Sequence, residues 1–244
     1  MVADARCAKL LKGVRITIEH AMTALEDANL RRYYDQRAPE YEQIYLPRDD
    51  EHGRELGELA RELRGATANR HVLEVACGTG YWTACAARVA ASVTATDASL
   101  PMLAQAREKA LPRNVTLKFA DAYDLAALEG EFDAGVAMFW LSHVPRARLR
   151  GFLDGLHARL LPGSIVYFAD NVHVPGIGGE LLPADAAGDT YKLRGLANGA
   201  RHRVLKNYFT QDELRELFGH RTTDLVVRTG PFFWSARYRI RSCD

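Results

Sequence analysis

Hydrophobic and polar positions change period several times along the 244-residue chain, and each change predicts an element. Residues 71–83, HVLEVACGTGYWT, form an apolar run that breaks into glycines and resumes, the pattern of a buried strand, a tight turn and a helix start. Upstream, Leu56, Leu59, Ala60 and Leu63 recur at helical spacing in GRELGELARELRG, so a helix is expected from Gly53, ended by Gly65, with one apolar stripe for a sheet. Downstream, strands and helices alternate: HVLEVAC, a helix from Tyr81 to Ala90, SVTATD, a helix from Leu100 to Ala110, VTLKFAD and FDAGVAMFW. Ser99 suits an N-cap, and Pro101 suits the first turn, where its missing N–H would have no partner anyway. A third amphipathic helix carries Leu149, Phe152, Leu153, Leu156 and Leu160 and stops at LPGS, before the strand SIVYFAD. This rhythm predicts an α/β fold: a Rossmann-like doubly wound sheet, mostly parallel, with helices on both faces.

The flanks read differently. Residues 1–52 are polar, helix-compatible and tyrosine-rich and close on Pro47 and an acidic pair, which predicts an appended helical segment before a main domain at 53–244. Residues 171–203 carry many glycines and no sustained period, so a long insertion on the substrate side is expected there, and such insertions are usually functional. After it RVLKNYF is strand-like, and Thr210 with Glu213 makes a capping box for QDELRELF. The chain closes with DLVVRT and PFFWSARYRI. In the latter, Phe232, Trp234, Ala236, Tyr238 and Ile240 alternate with Phe233, Ser235, Arg237 and Arg239, which predicts an antiparallel strand near a sheet edge, buried on one face and largely wet on the other.

Composition narrows the class. A 48% hydrophobic, 26% charged chain argues for one globular domain with elaborations, and no stretch approaches the roughly 20 apolar residues of a membrane span. The net charge of +1, with no dense Lys/Arg run, argues against nucleic acid as a partner. Cys7, Cys77, Cys85 and Cys243 have neither metal-site nor disulfide-framework spacing, and the first residues lack the apolar core of a signal peptide. A cytoplasmic protein acting on a small molecule, away from membranes, is the expectation; the oligomeric state is left open.

The glycine break lies where an α/β sheet docks nucleotide-like ligands. A dinucleotide site calls for a third glycine, whereas this chain reads Gly78-x-Gly80-x-x-Thr83. Asp97 ends the next strand seventeen positions on, placed to accept from ribose hydroxyls, and Asp121 ends the third, placed to accept from an adenine amino group. With Glu74 these residues make the chain resemble the class I S-adenosylmethionine-dependent methyltransferases. LEVACGTG is similar to that family's motif I, TDAS to its second motif, FADAYDL to its third, FDAGVAMFWLSHVP to its fourth and LLPGSIVYFAD to the strand that follows, with Ala76 standing where many members carry glycine. Five weak motifs in order make a strong set.

The resemblance implies S-adenosylmethionine as cofactor and S-adenosylhomocysteine as product. Gly78 and Gly80 would admit the cofactor's amino-acid portion, with Glu74 and Ala76 in the same loop. Asp97 would hold the ribose and Asp121 the adenine amine, Ala98 and Met102 would border the adenine with Ala122 beside Asp121, and Phe139 would lie beside the methionine part. Tyr33, Tyr34, Arg37 and Tyr41 resemble the N-terminal lid of small-molecule members, with Arg37 pairing with the cofactor carboxylate, Tyr41 hydrogen-bonding it and Tyr34 facing substrate. For Glu74 the competing reading is a strand-end acid bound to backbone amides; for the tyrosines it is helix-face packing.

His143, in WLSHVP beyond the fourth strand, is the candidate base: near its unperturbed pKa it takes a proton at neutral pH, the alternative being a structural histidine. Trp140 would wall the substrate, and His173, Lys206 and Tyr208 offer further contacts, with Asp170, Asn171 and His202 near them. The tetrapeptide of exocyclic-amine nucleic-acid methyltransferases is missing from AMFWLSHVP, no cysteine cluster exists for arsenic, and Asp170 lacks a carboxylate partner for magnesium, so no metal is expected. The reading is methyl transfer to an O or N atom of a small organic molecule in biosynthesis. An NAD(P)-dependent oxidoreductase and a non-catalytic S-adenosylmethionine-binding protein are the alternatives.

Overall fold

The apolar run at residue 71 becomes β1 (His71–Val75), whose Val72, Leu73 and Val75 are sealed from solvent in the computed structural model, which describes residues 27–220 and 222–241. Cys7, Cys243 and the first 26 residues of the N-terminal segment lie outside the described residues. Strand β1 pairs in parallel with β2 (Ser92–Asp97) and β4 (Phe132–Met138), flanked by β3 (Val115–Phe119) and β5 (Leu160–Asn171). β10 (Phe233–Ile240) runs antiparallel between β5 and β9 (Thr222–Thr229), giving the order β3-β2-β1-β4-β5-β10-β9. This is the expected doubly wound sheet, with its antiparallel strand one place from the edge.

Because successive strand residues point to opposite faces, β1 feeds two cores. Leu73 and Val75 pack with Phe152, Leu156, Phe168 and Trp234 under α5 (Leu149–His157) and α6 (Gln211–Gly219). Val72 packs on the other face with Leu63, Trp82 and Leu103, from α2 (Asp50–Thr67), α3 (Tyr81–Ala87) and α4 (Leu100–Glu108). The caps read from sequence are present: Ser99 Oγ accepts from the Met102 N–H, and Thr210 and Glu213 form a reciprocal capping box.

Three local expectations are corrected. Helix α2 starts at Asp50, where Asp49 accepts from the His52 N–H at 2.8 Å, and it runs through Gly65 to Thr67 because Leu56, Leu59, Leu63 and Ala66 anchor it on the sheet. Helices α3, α4 and α5 stop at Ala87, Glu108 and His157, short of Ala90, Ala110 and Leu160, and Leu160 with LPGS already belongs to β5. The second face of β10 is wet only in its C-terminal half, where Arg237 is exposed and Arg239 partly so; α2 covers the N-terminal half, where Ser235 Oγ donates to Glu62 at 2.7 Å and Phe233 packs on His52 and Phe139.

The aperiodic stretch forms a small antiparallel sheet, β6 (Glu180–Leu182), β7 (Tyr191–Gly195) and β8 (Arg201–Leu205). It grips the loop after β4, with the Asn207 N–H donating to the Ser142 carbonyl at 2.7 Å and its side-chain amide to the Val144 carbonyl at 3.1 Å. Residues 27–37 are helical (α1) and pass into a 3₁₀ turn, Ala38–Tyr45. This segment lies across the C-terminal strand ends: Asp27 pairs with Arg148 at 2.8 Å, Asp35 accepts from Ser99 Oγ at 2.5 Å, and Glu42 accepts from Thr79 Oγ1 at 2.6 Å.

Candidate functional site

Strand order reverses between β1 and β4, and the crevice beyond their C-terminal ends is where such sheets bind ligands. A cavity of about 760 Å³ opens there, lined by Ala76 and Gly78 after β1, Asp97 to Ser99 and Met102 after β2, Ala120 to Tyr123 after β3 and Met138 to Trp140 after β4. Asp27, Leu30, Arg31, Tyr34 and Tyr41 of the N-terminal segment cover it. Gly78 and Gly80 turn the chain at φ +55° and +77°, and a Cβ on Gly78 would stand 3.5 Å from the Tyr41 ring. Ala76 holds φ +55° and Phe139 φ +58°, left-handed backbone that side-chain-bearing residues adopt at a cost and that clusters at functional sites.

Asp97 closes this turn by accepting from the Gly78 N–H and the Ser99 N–H, each at 2.8 Å. Burial under the lid pushes its carboxyl up to about 6 despite those two donors. Lone pairs remain on both oxygens for further donors. Asp121 accepts from the Tyr123 N–H at 2.9 Å and meets Arg31 at 3.7 Å. Glu74 is buried behind the glycine turn, facing Thr83; burial raises its carboxyl to about 7, and its Oε2 has no partner. The competing reading of Glu74, an acid bound to backbone amides, finds no such bond among the described residues. The Tyr123 hydroxyl and Trp140 Nε1 are likewise buried and unpaired at the cavity wall.

Tyr34, Tyr41, Phe139 and His143 also line a second cavity of about 870 Å³, shared with Arg37, Arg48, Arg194, Asn171, Lys206 and Tyr208. His143 sits at the junction. Its Nδ1 lies 2.6 Å from the Leu205 carbonyl, which only accepts, so Nδ1 carries the hydrogen and Nε2 accepts the Tyr34 hydroxyl at 2.7 Å. Burial, reinforced by the Lys206 ammonium, lowers the imidazole to about 3, so the expectation of a histidine near its ordinary pKa is corrected: this one is neutral at physiological pH. Burial alone would raise Asp170, but Lys206 at 2.9 Å outweighs it and holds the carboxylate ionised.

The predicted residues sort accordingly. Tyr34, Tyr41, Ala76, Gly78, Asp97, Ala98, Met102, Asp121, Ala122, Phe139, Trp140 and His143 converge on the first cavity. Arg37, Lys206 and Tyr208 line the second. The Lys206 ammonium already donates to Ser142, Asp170 and Asn171, one bond for each of its hydrogens. Tyr33 lies outside the first cavity's lining, buried on Leu196 and Val204 and accepting from Arg37. His173 borders neither cavity, being exposed and edge-on to Tyr208, and His202 instead meets Gln36. Gly80 lies outside the lining as the left-handed N-cap of α3. The sequence reading missed Leu30, Arg31 and Tyr123 in the first cavity and Arg48 and Arg194 in the second; Tyr123, inside FADAYDL, was the one with a motif to betray it.

Comparison with known proteins matches this geometry. A methyltransferase domain family matches residues 72–163. A demethylmenaquinone methyltransferase of Tropheryma whipplei is 30% identical over 165 residues, 66% of each chain, so the chain spans about two thirds of that relative's length. A ubiquinone biosynthesis O-methyltransferase of Xanthomonas campestris is 28% identical over 73% of this chain and 74% of its own. The DhpI–SAH complex superimposes with a TM-score of 0.70 at 29% identity, over 88% of this chain and 97% of that one, and the DhpI–SAM–HEP complex with 0.71 at 28%, over the same shares. The chain belongs to the class I S-adenosylmethionine-dependent methyltransferases.

The methyltransferase fits that cofactor. It offers a glycine cradle, the Asp97 and Asp121 carboxylates on neighbouring strand ends, and unpaired polar atoms in the wall. Among its described residues no group of three or more His, Cys, Asp or Glu is arranged to hold a metal ion, and no helix is long and apolar enough to cross a membrane.

Proposed function

We propose that the protein transfers the methyl group of S-adenosylmethionine to an oxygen or nitrogen atom of a small organic molecule in a biosynthetic pathway of the cytoplasm, free of nucleic acid and membrane. The single observation carrying this reading is the pair of adjoining cavities, one built on Gly78, Asp97 and Asp121, the other lined by His143 and Tyr208, with Tyr34, Tyr41, Phe139 and His143 in both walls. Asp97 would take the ribose hydroxyls and Asp121 the adenine amine. Ala98, Met102 and Ala122 would flank the ring and Phe139 the methionine chain, with Tyr41 and Arg37 at its carboxylate.

When bound, S-adenosylmethionine supplies a methyl group already made electrophilic by its sulfonium. The protein's part is then to hold the acceptor in line, exclude water and manage one proton. The N-terminal segment closes both cavities, and the aromatic faces of Tyr34, Tyr41 and Phe139 suit a neighbouring positive charge. His143 Nε2 presents a fixed lone pair at the junction, and its backbone tether at Leu205 keeps that tautomer. An acceptor hydroxyl would displace the Tyr34 hydroxyl from it and be aimed by the same hydrogen bond.

Incubation with methyl-labelled S-adenosylmethionine and a panel of phenols, enols and amines tests the reading, with labelled product expected. Tight binding without transfer to any acceptor would support a non-catalytic binding protein, and a preference for a nicotinamide dinucleotide would overturn the reading outright. Asp97→Ala should weaken S-adenosylmethionine binding at least ten-fold by calorimetry while the thermal transition persists; unchanged affinity would refute the ribose assignment.

A further inference from the structure

The second cavity is electrically lopsided. Its lining contains Arg37, Arg48, Arg194 and Lys206 and no Asp or Glu. Lys206 is neutralised by Asp170 at 2.9 Å. Among the described residues none of the three arginines forms an ion pair with a carboxylate, and Arg37 is engaged by the Tyr33 hydroxyl and the Tyr33 and Tyr41 rings. Arg194 has less: its Nε is buried without any hydrogen-bond partner, and its guanidinium passes close to Gly178. Its charge reaches Tyr34, His143, Lys206 and Tyr208, lowering each of them, although burial dominates all four.

A part-buried guanidinium with an unsatisfied donor in a carboxylate-free cavity is costly to maintain unless an anion completes it. The planar fork matches two oxygens of a carboxylate or phosphoryl group, which an ammonium does not. Resting on the methyltransferase reading, we propose that the methyl acceptor carries an oxyanionic group, a carboxylate or a phosphoryl, gripped by Arg194 in the second cavity with Arg48 at its exposed rim. Arg37, nearer Tyr41, is left for the cofactor. The anchored anion would set the distance between Arg194 and the reacting atom at the His143 junction, so acceptors would be selected by anion as well as by ring. The same anion would offset the positive field that lowers His143.

Calorimetry on protein first titrated with S-adenosylhomocysteine tests this, using 4-hydroxybenzoate, its neutral counterpart 4-hydroxybenzamide, and phenyl phosphate. The expected result is binding of at least one acid ten-fold or more tighter than the amide; which acid prevails separates carboxylate from phosphoryl. Inorganic phosphate should compete with that acid on the unaltered protein, a measurement that needs no variant. Arg194→Gln should abolish the preference, Arg194→Lys should retain part of it, and both should keep wild-type affinity for S-adenosylhomocysteine. Equal binding of acid and amide, binding of neither acid, or a preference surviving in Arg194→Gln overturns the proposal. So does a parallel loss of S-adenosylhomocysteine affinity in Arg194→Gln, which would assign the charge to the cofactor's carboxylate. Failure of the unaltered protein to bind S-adenosylhomocysteine at all would overturn the methyltransferase reading beneath it, and is seen separately in the first titration.

Discussion

A carboxyl inside a sealed strand destabilises a fold in proportion to how far its ionisation is resisted, and Glu74 makes that measurable. Its pKa rises from 4.5 to about 7 through burial, so the folded chain binds a proton that the unfolded chain releases. Stability contributed by protonated Glu74 is therefore intact below about pH 4.5 and lost as pH climbs to about 7, a swing of about 3 kcal/mol. Glu74→Gln should flatten that slope: denaturant unfolding at pH 5 and 8 should show a gain confined to the higher pH. An equal gain at both would place the effect elsewhere. His143 titrates the other way, lowered to about 3 by burial and by Lys206. Turnover should accordingly lack a histidine limb between pH 5.5 and 7.5, while His143→Ala should cut turnover more than it cuts cofactor affinity. A limb near 6.5 that vanishes in His143→Gln would contradict a buried, neutral imidazole, and wild-type turnover in His143→Ala would return the residue to a structural role.

At the level of elements, local rules were readable where one interaction decides them and unreadable where packing does. Ser99 and the Thr210–Glu213 box are visible because a cap needs only its own side chain and backbone within one turn. Gly65 misleads because the cost of a mid-helix glycine, about 1 kcal/mol, is smaller than what burial of Leu59, Leu63 and Ala66 contributes. Since a Cβ at Gly65 would meet nothing within 4 Å, Gly65→Ala should raise stability by 0.5 to about 1 kcal/mol without altering the cofactor site. A loss of stability would mean that the helix is held less well there than its packing indicates. The wet face assigned to Phe233 and Ser235 fails for a related reason: alternation reports which residues share a face, not whether a helix from ahead of the first glycine turn covers it. Gly78, Asp97 and Asp121 were legible because the turn and strand ends fix their positions; Arg194 was not, lying on a strand of the glycine-rich stretch where no period announces it.

For the whole molecule, the decisive arrangement is the N-terminal segment laid over both cavities. Lifting it would break the Tyr34–His143 hydrogen bond and carry the Tyr41 ring away from Gly78. Tyr33 and Tyr45 anchor it by burial, and the rest of its attachment is polar and partly exposed. Glu42 accepts from the Thr79 hydroxyl inside the glycine turn and from Lys109, which itself donates to the Thr79 carbonyl at 2.6 Å. Contacts of that kind contribute roughly 0.2 to 1 kcal/mol once solvent screening is counted. That is little beside the buried faces of the sheet, yet large enough to set how often a surface segment opens. Glu42→Gln should therefore speed S-adenosylhomocysteine release by up to about five-fold in stopped-flow measurements, the factor the upper end of that range corresponds to, and leave the melting temperature nearly unchanged. High salt should mimic the substitution in the unaltered protein and have less effect in the variant, because the Glu42–Lys109 attraction is screened in one and missing in the other. Should the variant melt early with release unaltered, Glu42 would be supporting the core and the segment would move on some other hinge.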